Sequence, residues 1–183
     1  MKLIETEIAG LLIIEPRIFN DGRGYFYESY NKSKFTEAGI DVAFVQDNQS
    51  FSHKGAVRGL HAQADPFAQS KLVRVIRGRV LDIAVDIRKG SPTYGKHVAV
   101  ELNEDNKLML WIPAGFLHGF ATLEDNTIFA YKVNNYYDKA SEIGVLWNDR
   151  DLGINWGVAP IDVLLSPKDE LLPEFKSFVS PFA

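Results

Sequence analysis

The chain contains 183 residues, of which 46% are hydrophobic and 24% charged, a composition that suits one globular domain with a substantial core. Its net charge of −4 excludes the basic surface typical of proteins that bind nucleic acid or acidic membranes, and the absence of cysteine excludes disulfides, thiolate metal ligands and thiol catalysis. No run reaches the ~18 apolar residues of a membrane span. We therefore expect a single domain over residues 1–183, in the cytoplasm, without nucleic-acid or membrane partners.

Short segments rich in aliphatic and aromatic residues dominate the chain and predict β-strands. One helix is predicted over residues 32–38, with Asn31 or Ser33 as its cap and a glycine at its end. From Asp138 the chain becomes irregular, and a second short helix is predicted around residues 169–176. In chain order, the predicted strands cover residues 11–15, 24–30, 42–52, 71–76, 79–88, 97–102, 107–112, 116–123 and 127–133.

Two pairs of these strands are separated by short polar turns. Residues 97–102 and 107–112 flank such a turn, which predicts a hairpin, and residues 116–123 with 127–133 predict the next one. About ten short strands with turns at intervals of about eight to twelve residues indicate a sandwich or barrel, and not alternating β/α units. We expect an all-β jelly-roll barrel, whose mouth can hold a small molecule between inward-facing polar side chains.

Residues 55–78 are similar to the first motif of cupin-type barrels, G-x5-H-x-H-x3,4-E-x6-G, with His61 at the first histidine position. Residues 113–118 reproduce the second motif, P-x-G-x2-H-x3-N, as far as His118. The remaining ligand positions of the two motifs hold different residues, namely Gln63, Lys71 and Thr122. Because a lysine ammonium repels the cation it would have to bind, we expect neither a metal ion nor another cofactor in this barrel.

The same residues suit acid–base chemistry on an anionic intermediate. His61, Lys71 and His118 are expected to point into the mouth, where a neutral imidazole can act as a general base. A lysine ammonium can stabilise an enolate oxygen, and Tyr131, on a later strand, can return a proton from the opposite side. The alternative is structural, because a lone histidine can simply satisfy a hydrogen bond in a core and a lone tyrosine can pack there.

Longer motifs extend the pattern over about residues 1–175. In combination they resemble the dTDP-4-dehydrorhamnose 3,5-epimerase family, metal-free barrels of dTDP-L-rhamnose synthesis. The matching segments, in order, are residues 21–28 (DGRGYFYE), 46–50 (QDNQS), 58–61 (RGLH), 69–75 (QSKLVRV), 82–95, 111–120 (WIPAGFLHGF), 131–132, 136–137, 147–149 and 165–169 (LSPKD).

The resemblance implies that His61 removes protons from carbons 3 and 5 of a dTDP-4-keto-6-deoxyhexose, giving dTDP-4-dehydro-L-rhamnose. It further implies that Asp169 orients His61, that Tyr131 is the acid on the opposite face, and that Lys71 holds the enolate oxygen. Tyr137 is predicted to stack on the thymine. The positions that match nucleotide-sugar-binding residues of the family are Arg23, Glu28, Gln46, Asp47, Asn48, Arg58, His118, Glu142 and Lys168.

Two departures from the family pattern affect the expected specificity. Ala62 stands where an aromatic residue is common, and Gln49 where a histidine is often found. Neither removes a catalytic group, but either can reshape the pocket. A single-carbon epimerase or a ketoisomerase on a related sugar is therefore an alternative, and so is a non-catalytic sugar-nucleotide-binding barrel. The resemblance also implies a homodimer in which N-terminal strands, such as residues 11–15, extend the partner's sheet.

Overall fold

The computed structural model describes residues 1–183 and is built almost wholly from short strands. One helix, α1 (Lys32–Glu37), and three single-turn 3₁₀ helices (Pro160–Asp162, Asp169–Leu171 and Phe175–Ser177) complete it. The strands are β1 (Lys2–Glu5), β2 (Leu12–Glu15), β3 (Phe19–Asp21), β4 (Gly24–Phe26), β5 (Gln46–Ser52), β6 (Val57–Gln63), β7 (Lys71–Arg77), β8 (Arg79–Asp86), β9 (His97–Asn103), β10 (Met109–Ile112), β11 (Phe116–Thr122), β12 (Thr127–Val133) and β13 (Glu142–Gly144).

Two antiparallel sheets face each other. The six-stranded sheet has the order β1-β2-β10-β7-β12-β5, and the five-stranded sheet has the order β13-β6-β11-β8-β9. Side chains from both sheets form one cluster of 14 buried residues between them, for example Val73 from β7 and Ala84 from β8. Successive strands cross repeatedly from one sheet to the other, as they do in a jelly roll. The all-β jelly-roll prediction is confirmed.

The two predicted hairpins are wrong. β9 pairs with β8 in the five-stranded sheet, whereas β10 pairs with β2 and β7 in the six-stranded sheet. In the same way β11 pairs with β6 and β8, whereas β12 pairs with β5 and β7. A short polar turn can close a hairpin or carry the chain across the barrel, and the alternation of side chains looks the same in both cases.

Several element boundaries also differ from the predictions. The predicted strand over residues 42–52 begins only at Gln46, and that over residues 24–30 ends at Phe26. α1 forms as predicted, with the Asn31 side chain accepting a hydrogen bond from the Lys34 backbone N–H. The predicted C-terminal helix is wrong, since Pro173 has no N–H to donate and two separate 3₁₀ turns lie on either side of it.

The outer faces of both sheets are covered by the remaining chain. α1 and its flanking residues cover part of the six-stranded sheet, where Phe35 packs near Trp111. The irregular C-terminal segment covers the five-stranded sheet, where Trp147 and Trp156 pack against its aliphatic residues. All three tryptophans are buried and belong to the core. None of the helices has the length and apolar character needed to cross a membrane.

Polar residues interrupt the apolar interior along single strands. On β8, Asp82 lies between Val80 and Ala84, and all three point between the sheets. On β11, His118 lies between Phe116 and Phe120 in the same way. A fully buried aspartate in an apolar strand requires a polar partner. The interior is therefore a core with a polar site built into it.

A second buried carboxylate holds the turn after β8 in place. Asp86 is fully buried and accepts hydrogen bonds from the Arg88 guanidinium (2.8 Å to each carboxylate oxygen), from Ser91 (2.6 Å) and from Thr93 (2.7 Å). Burial opposes ionisation of Asp86, but the hydrogen bonds from Arg88, Ser91 and Thr93 outweigh it and hold its pKa at about 2. The ionised carboxylate thus stabilises the folded state.

We expect Asp86→Asn to lower the free energy of unfolding at pH 7 by roughly 2 kcal/mol, because the folded-state pKa lies below the ordinary value. This contribution is present above the unfolded-state pKa and is lost as the pH falls towards 2, so the stability gap between wild type and variant should narrow in acid. Urea titrations at several pH values between 7 and 3 measure the difference in the free energy of unfolding between the two proteins. Asp105→Asn, on an exposed turn, is the matched control. Parallel pH curves for wild type and Asp86→Asn would contradict the assignment.

Candidate active site

His61 and Asp169 form a hydrogen-bonded pair although 108 positions separate them in the chain. The Nε2 atom of His61, on β6, lies 2.5 Å from Oδ1 of Asp169, which begins a 3₁₀ helix. Asp169 is buried and the His61 side chain is one-quarter accessible. Burial opposes ionisation of Asp169, but the hydrogen bond and charge of His61 outweigh it and lower the pKa of the carboxyl. A carboxylate in this position orients the imidazole and makes it a better base.

A close contact with β6 fixes the segment that carries Asp169. Leu164 donates its N–H to the Gly55 carbonyl (2.9 Å) and accepts from the Val57 N–H (3.0 Å). Gly55 has a φ of +86°, and a Cβ on this residue would collide with the Asp162 carbonyl oxygen. Only glycine suits both the conformation and the contact. The glycine that opens the motif of residues 55–78 therefore helps to place Asp169 against His61.

A second histidine–aspartate pair lies deeper between the sheets. His118 Nε2 lies 3.0 Å from both carboxylate oxygens of Asp82, and both side chains are buried. Burial lowers the pKa of His118, against the opposing charge of Asp82. The second cupin-type motif identifies His118 as a site residue, but Asp82 lies outside both motifs. The signal for Asp82 was a lone carboxylate in the apolar run of β8, at a position whose neighbours two residues away point inward.

Lys71, at the start of β7, brings a cation to the same space. Its desolvation by burial lowers the pKa of the ammonium to about 8, although the charges of Asp82 and Glu142 favour the protonated form. Lys71 is therefore mostly protonated at neutral pH. A desolvated ammonium interacts strongly with any anion that forms beside it.

Tyr131 occupies the opposite wall. It lies on β12 of the six-stranded sheet, whereas His61 lies on β6 of the five-stranded sheet. Its side chain packs against the inter-sheet core. Burial raises the pKa of the Tyr131 phenol, although the charge of Arg58 opposes this. The hydroxyl consequently holds its proton at neutral pH and can donate it.

These side chains converge on one cavity of about 700 Å³. Of the predicted site residues, those that line it are Arg58, His61, Lys71, His118, Tyr131, Lys168 and Asp169. Ser50, Leu164, Leu165 and Ser166 also line it, and sequence reasoning missed all four. The Ser50 hydroxyl is buried and has no hydrogen-bond partner within the chain, so it is free to bind a ligand.

The remaining predicted residues of the rim form hydrogen-bonded contacts. Glu142 accepts from Lys168 (2.5 Å) and from the Tyr137 hydroxyl (3.1 Å), and the Lys168 hydrogen bond lowers the pKa of Glu142 against the effect of burial. Gln46 accepts from the Tyr137 N–H (3.2 Å) and donates to Asn48 (2.9 Å). Asn48 pairs in register with Tyr131, so the two point to the same face of the sheet. Hydrogen bonds thus link these five residues, and Lys168, at one end of the series, lines the cavity.

Three predicted binding residues lie elsewhere in the chain. Asp47 pairs in register with Lys132, which faces away from the interior, and forms an ion pair with it (2.8 Å). Arg23, in the turn between β3 and β4, pairs with Asp21 and is exposed, and Glu28 pairs with Lys34 of α1. Glu28 and Asp47 belong to the outer side of the six-stranded sheet, so within one chain that sheet separates them from His61, and Arg23 lies on the separate β3–β4 hairpin.

The donor set does not fit a divalent metal ion, although the barrel resembles folds that hold one. No group of three or more His, Asp or Glu side chains is arranged for metal binding. The Gln63 amide is engaged by the Phe67 carbonyl, the Tyr136 carbonyl and the Asp138 N–H. A lysine ammonium stands at the carboxylate position, and an ammonium has no lone pair to offer a cation.

The geometry suits proton transfer on a ligand held between two walls. One wall offers an imidazole backed by a carboxylate, the other offers a protonated phenol, and Lys71 lies with them at the same cavity. Arg58 still has N–H groups free after donating to Ser52 (3.2 Å), and a planar guanidinium binds phosphates well. The cavity can therefore hold a phosphorylated ligand, accept a proton from one face of it and donate another proton to the opposite face.

The family model described as dTDP-4-dehydrorhamnose 3,5-epimerase matches residues 5–177. A dTDP-4-dehydrorhamnose 3,5-epimerase of Shigella flexneri is 55% identical over 170 residues, which cover 92% of this chain and 93% of the relative. That of Escherichia coli K12 is 52% identical, with 94% and 93% covered.

A solved structure from Legionella pneumophila, a dTDP-6-deoxy-D-glucose-3,5-epimerase in complex with dTDP-4-keto-L-rhamnose, superposes with a TM-score of 0.93. It is 46% identical, and the match covers 97% of this chain and 94% of that one. The fold, the length and the order of motifs thus agree over nearly the whole chain. The chain belongs to the dTDP-4-dehydrorhamnose 3,5-epimerase family and is an isomerase of nucleotide sugars.

Proposed function

We propose that this enzyme inverts both carbon 3 and carbon 5 of dTDP-4-dehydro-6-deoxy-D-glucose, giving dTDP-4-dehydro-L-rhamnose for dTDP-L-rhamnose biosynthesis. The observation that carries the proposal is the placement of His61–Asp169 and Tyr131 on opposite walls of one cavity, with Lys71 lining it. Inversion requires a base on one face of the carbon and an acid on the other. A simple binding module requires neither.

In the proposed mechanism, His61 takes the proton from carbon 3 while the electron pair moves towards the carbon 4 oxygen. Lys71 stabilises the enolate oxygen by charge and hydrogen bonding. Tyr131 then donates its proton to carbon 3 from the opposite face, which inverts that centre. His61 and Tyr131 return to their starting protonation states by exchange with water, and the same cycle at carbon 5 completes the reaction. No cofactor takes part.

The nucleotide end of the substrate is proposed to lie across the rim. Arg58 and Lys168 supply positive charge for the diphosphate, and His118 lines the sugar end. Gln46, Asn48 and Glu142 offer amide and carboxylate groups to hydroxyl and base N–H groups. Tyr137 is 55% exposed beside Glu142, so its ring is available to stack on the thymine. A cytoplasmic location stays a prediction.

We further propose a homodimer in which Arg23, Glu28 and Asp47 serve the cavity of the partner subunit. Glu28 and Asp47 support this, because they cannot reach His61 of their own chain through the six-stranded sheet, and Arg23 lies on an exposed hairpin outside both large sheets. The β3–β4 hairpin beside Arg23 carries exposed aromatic residues, Phe19, Tyr25 and Phe26. An exposed aromatic hairpin is typical of an interface. Since β2 already pairs with β1 and β10, this hairpin is the better candidate for the exchanged element.

His61→Ala tests the base. In deuterium oxide the wild-type enzyme should incorporate label at carbons 3 and 5, and the variant should incorporate none, because it lacks the imidazole that takes the proton. Mass spectrometry and proton NMR of the sugar measure the label. His97→Ala, on β9 and outside the cavity, is the matched control. Label at one carbon only in the wild type would favour a single-carbon epimerase, and binding without any exchange would favour a binding barrel.

Tyr131→Phe tests the acid. Loss of a general acid typically costs about 10²–10⁴-fold in turnover, whereas exchange at the first carbon should be partly retained because the base is intact. Steady-state turnover and deuterium incorporation should be measured side by side. Tyr94→Phe, whose ring packs against Phe175 far from the cavity, should behave as wild type. Unchanged turnover in Tyr131→Phe would remove Tyr131 from the mechanism.

Mixing two inactive variants tests the shared site. If Arg23 acts in the partner's cavity, a heterodimer of His61→Ala and Arg23→Ala subunits contains one intact site. Re-association of an equimolar mixture should then recover about a quarter of the wild-type activity, since half of the dimers are mixed and each has one good site of two. Activity after co-refolding and dimer mass by light scattering measure this. No recovery in a mixture that is dimeric would show that Arg23 acts within its own chain, and full activity of Arg23→Ala by itself would show that Arg23 does not act at all.

A further inference from the structure

Gln63 is a buried amide that the proposed reaction does not use. It ends β6, two residues after His61, and only 4% of it is exposed. Its Nε2 donates to the Phe67 carbonyl (2.6 Å) and to the Tyr136 carbonyl (3.1 Å), and its Oε1 accepts from the Asp138 N–H (2.9 Å). Two of these three hydrogen bonds go to the backbone on either side of Tyr137.

The segment around Tyr137, residues 134–138, is anchored at its start, where Asn134 exchanges hydrogen bonds with the Ser70 backbone and Asn135 donates to the Pro66 carbonyl (2.9 Å). We call it the tyrosine loop. Gln69 donates to its Asn135 carbonyl (2.8 Å), and Gln46 accepts from its Tyr137 N–H (3.2 Å). Side-chain amides thus hold most of the loop backbone in place of a regular strand ladder. Of these amides, Gln63 is the most buried, and it holds the loop at two points.

The tyrosine loop presents its side chains to the rim of the cavity. Tyr136 is 61% and Tyr137 55% exposed, so the backbone is tethered while the rings are free. The Tyr137 hydroxyl donates to Glu142, which also accepts from Lys168, a residue of the cavity wall. A displaced loop would therefore move the Tyr137 ring and disturb Glu142, whereas none of the loop's hydrogen bonds goes to the side chains of His61, Lys71 or Tyr131.

We propose that Gln63 is a positioning residue for the nucleotide end of the substrate, acting through the tyrosine loop. The inference rests on the proposed function, in which Tyr137 and Glu142 meet the thymidine. Two residues of β6 then have different tasks. His61 transfers protons, and Gln63 holds the tyrosine loop that binds the nucleotide end of the substrate. Preorganising a loop raises affinity by reducing the entropy that binding has to remove.

The test is the affinity for dTDP, measured by calorimetry without any reaction. Gln63→Leu removes all three hydrogen bonds at similar volume and should weaken dTDP binding about tenfold. KM should rise by a similar factor, with kcat at saturation within about twofold of wild type, because binding alone is affected. Asn103→Leu is the matched control. It removes a buried amide that holds the turn at Asp105 and Asn106, outside the cavity, and should leave dTDP affinity unchanged.

A double-mutant cycle separates positioning from general loss of structure. If Gln63 acts through Tyr137, then Gln63→Leu should cost little further affinity in a Tyr137→Ala background. Thermal unfolding of each variant checks that it is folded. Should Gln63→Leu fail to fold, Gln69→Leu removes one hydrogen bond to the same loop and should show a smaller loss that also disappears with Tyr137→Ala.

Two affinity results would overturn the inference alone, given that the wild type binds dTDP. One is an unchanged dTDP affinity in Gln63→Leu, and the other is full additivity with Tyr137→Ala. A fall in kcat with unchanged KM would also overturn it, because it would place Gln63 in the chemistry. Failure of the wild-type protein to bind dTDP would overturn the proposed function, and this inference with it.

Discussion

The hydrogen bond between His61 and Asp169 couples the barrel to the far end of the chain. A buried carboxylate is unfavourable unless it is paired, so Asp169 can occupy its position only when His61 faces it. The segment leading to it must first cover the outer face of the five-stranded sheet, where Trp147 and Trp156 are buried. The contact at Gly55 then fixes its approach. The orientation of the His61 imidazole therefore depends on the packing of the C-terminal segment.

The charges between the sheets also depend on one another. A lone ammonium at Lys71 would be strongly disfavoured by burial, and the charges of Asp82 and Glu142 oppose that penalty. Asp82 is in turn held by both of its contacts with His118. The result is a site that is positively charged where it meets a ligand, within a protein of net charge −4. Local pairing, and not the overall charge, therefore sets the electrostatics of the cavity.

The sequence predicted much of this because some patterns have one physical meaning. Strand content follows from side-chain alternation, and the α1 cap follows from the preference of Asn31 for a non-helical backbone with a side-chain acceptor. The inward direction of His61, Lys71 and His118 follows from motifs whose spacing fixes which residues share a face.

Other features depend on information that no local pattern contains. Whether β9 and β10 form a hairpin or separate into two sheets is decided by which partners complete each sheet. Asp82 acquires its role only from its pairing with His118 across neighbouring strands. Arg23 and Asp47 match binding positions in sequence, yet Asp47 faces the outer side of the six-stranded sheet and Arg23 lies on a separate exposed hairpin. A linear match identifies a residue but not the side of the sheet on which it acts.

The cupin-like positions show how a retained geometry can carry inverted chemistry. Two histidines and a carboxylate in this barrel would direct electron pairs at a cation. Here the carboxylate position holds Lys71, which directs positive charge into the cavity. The second histidine position holds Gln63, whose side-chain amide forms hydrogen bonds with backbone groups outside the cavity. Thr122 fills the last position and is fully buried. The barrel thus keeps a histidine in each motif and replaces the carboxylate between them with an ammonium, so the site presents positive charge to a ligand and does not offer electron pairs to a cation.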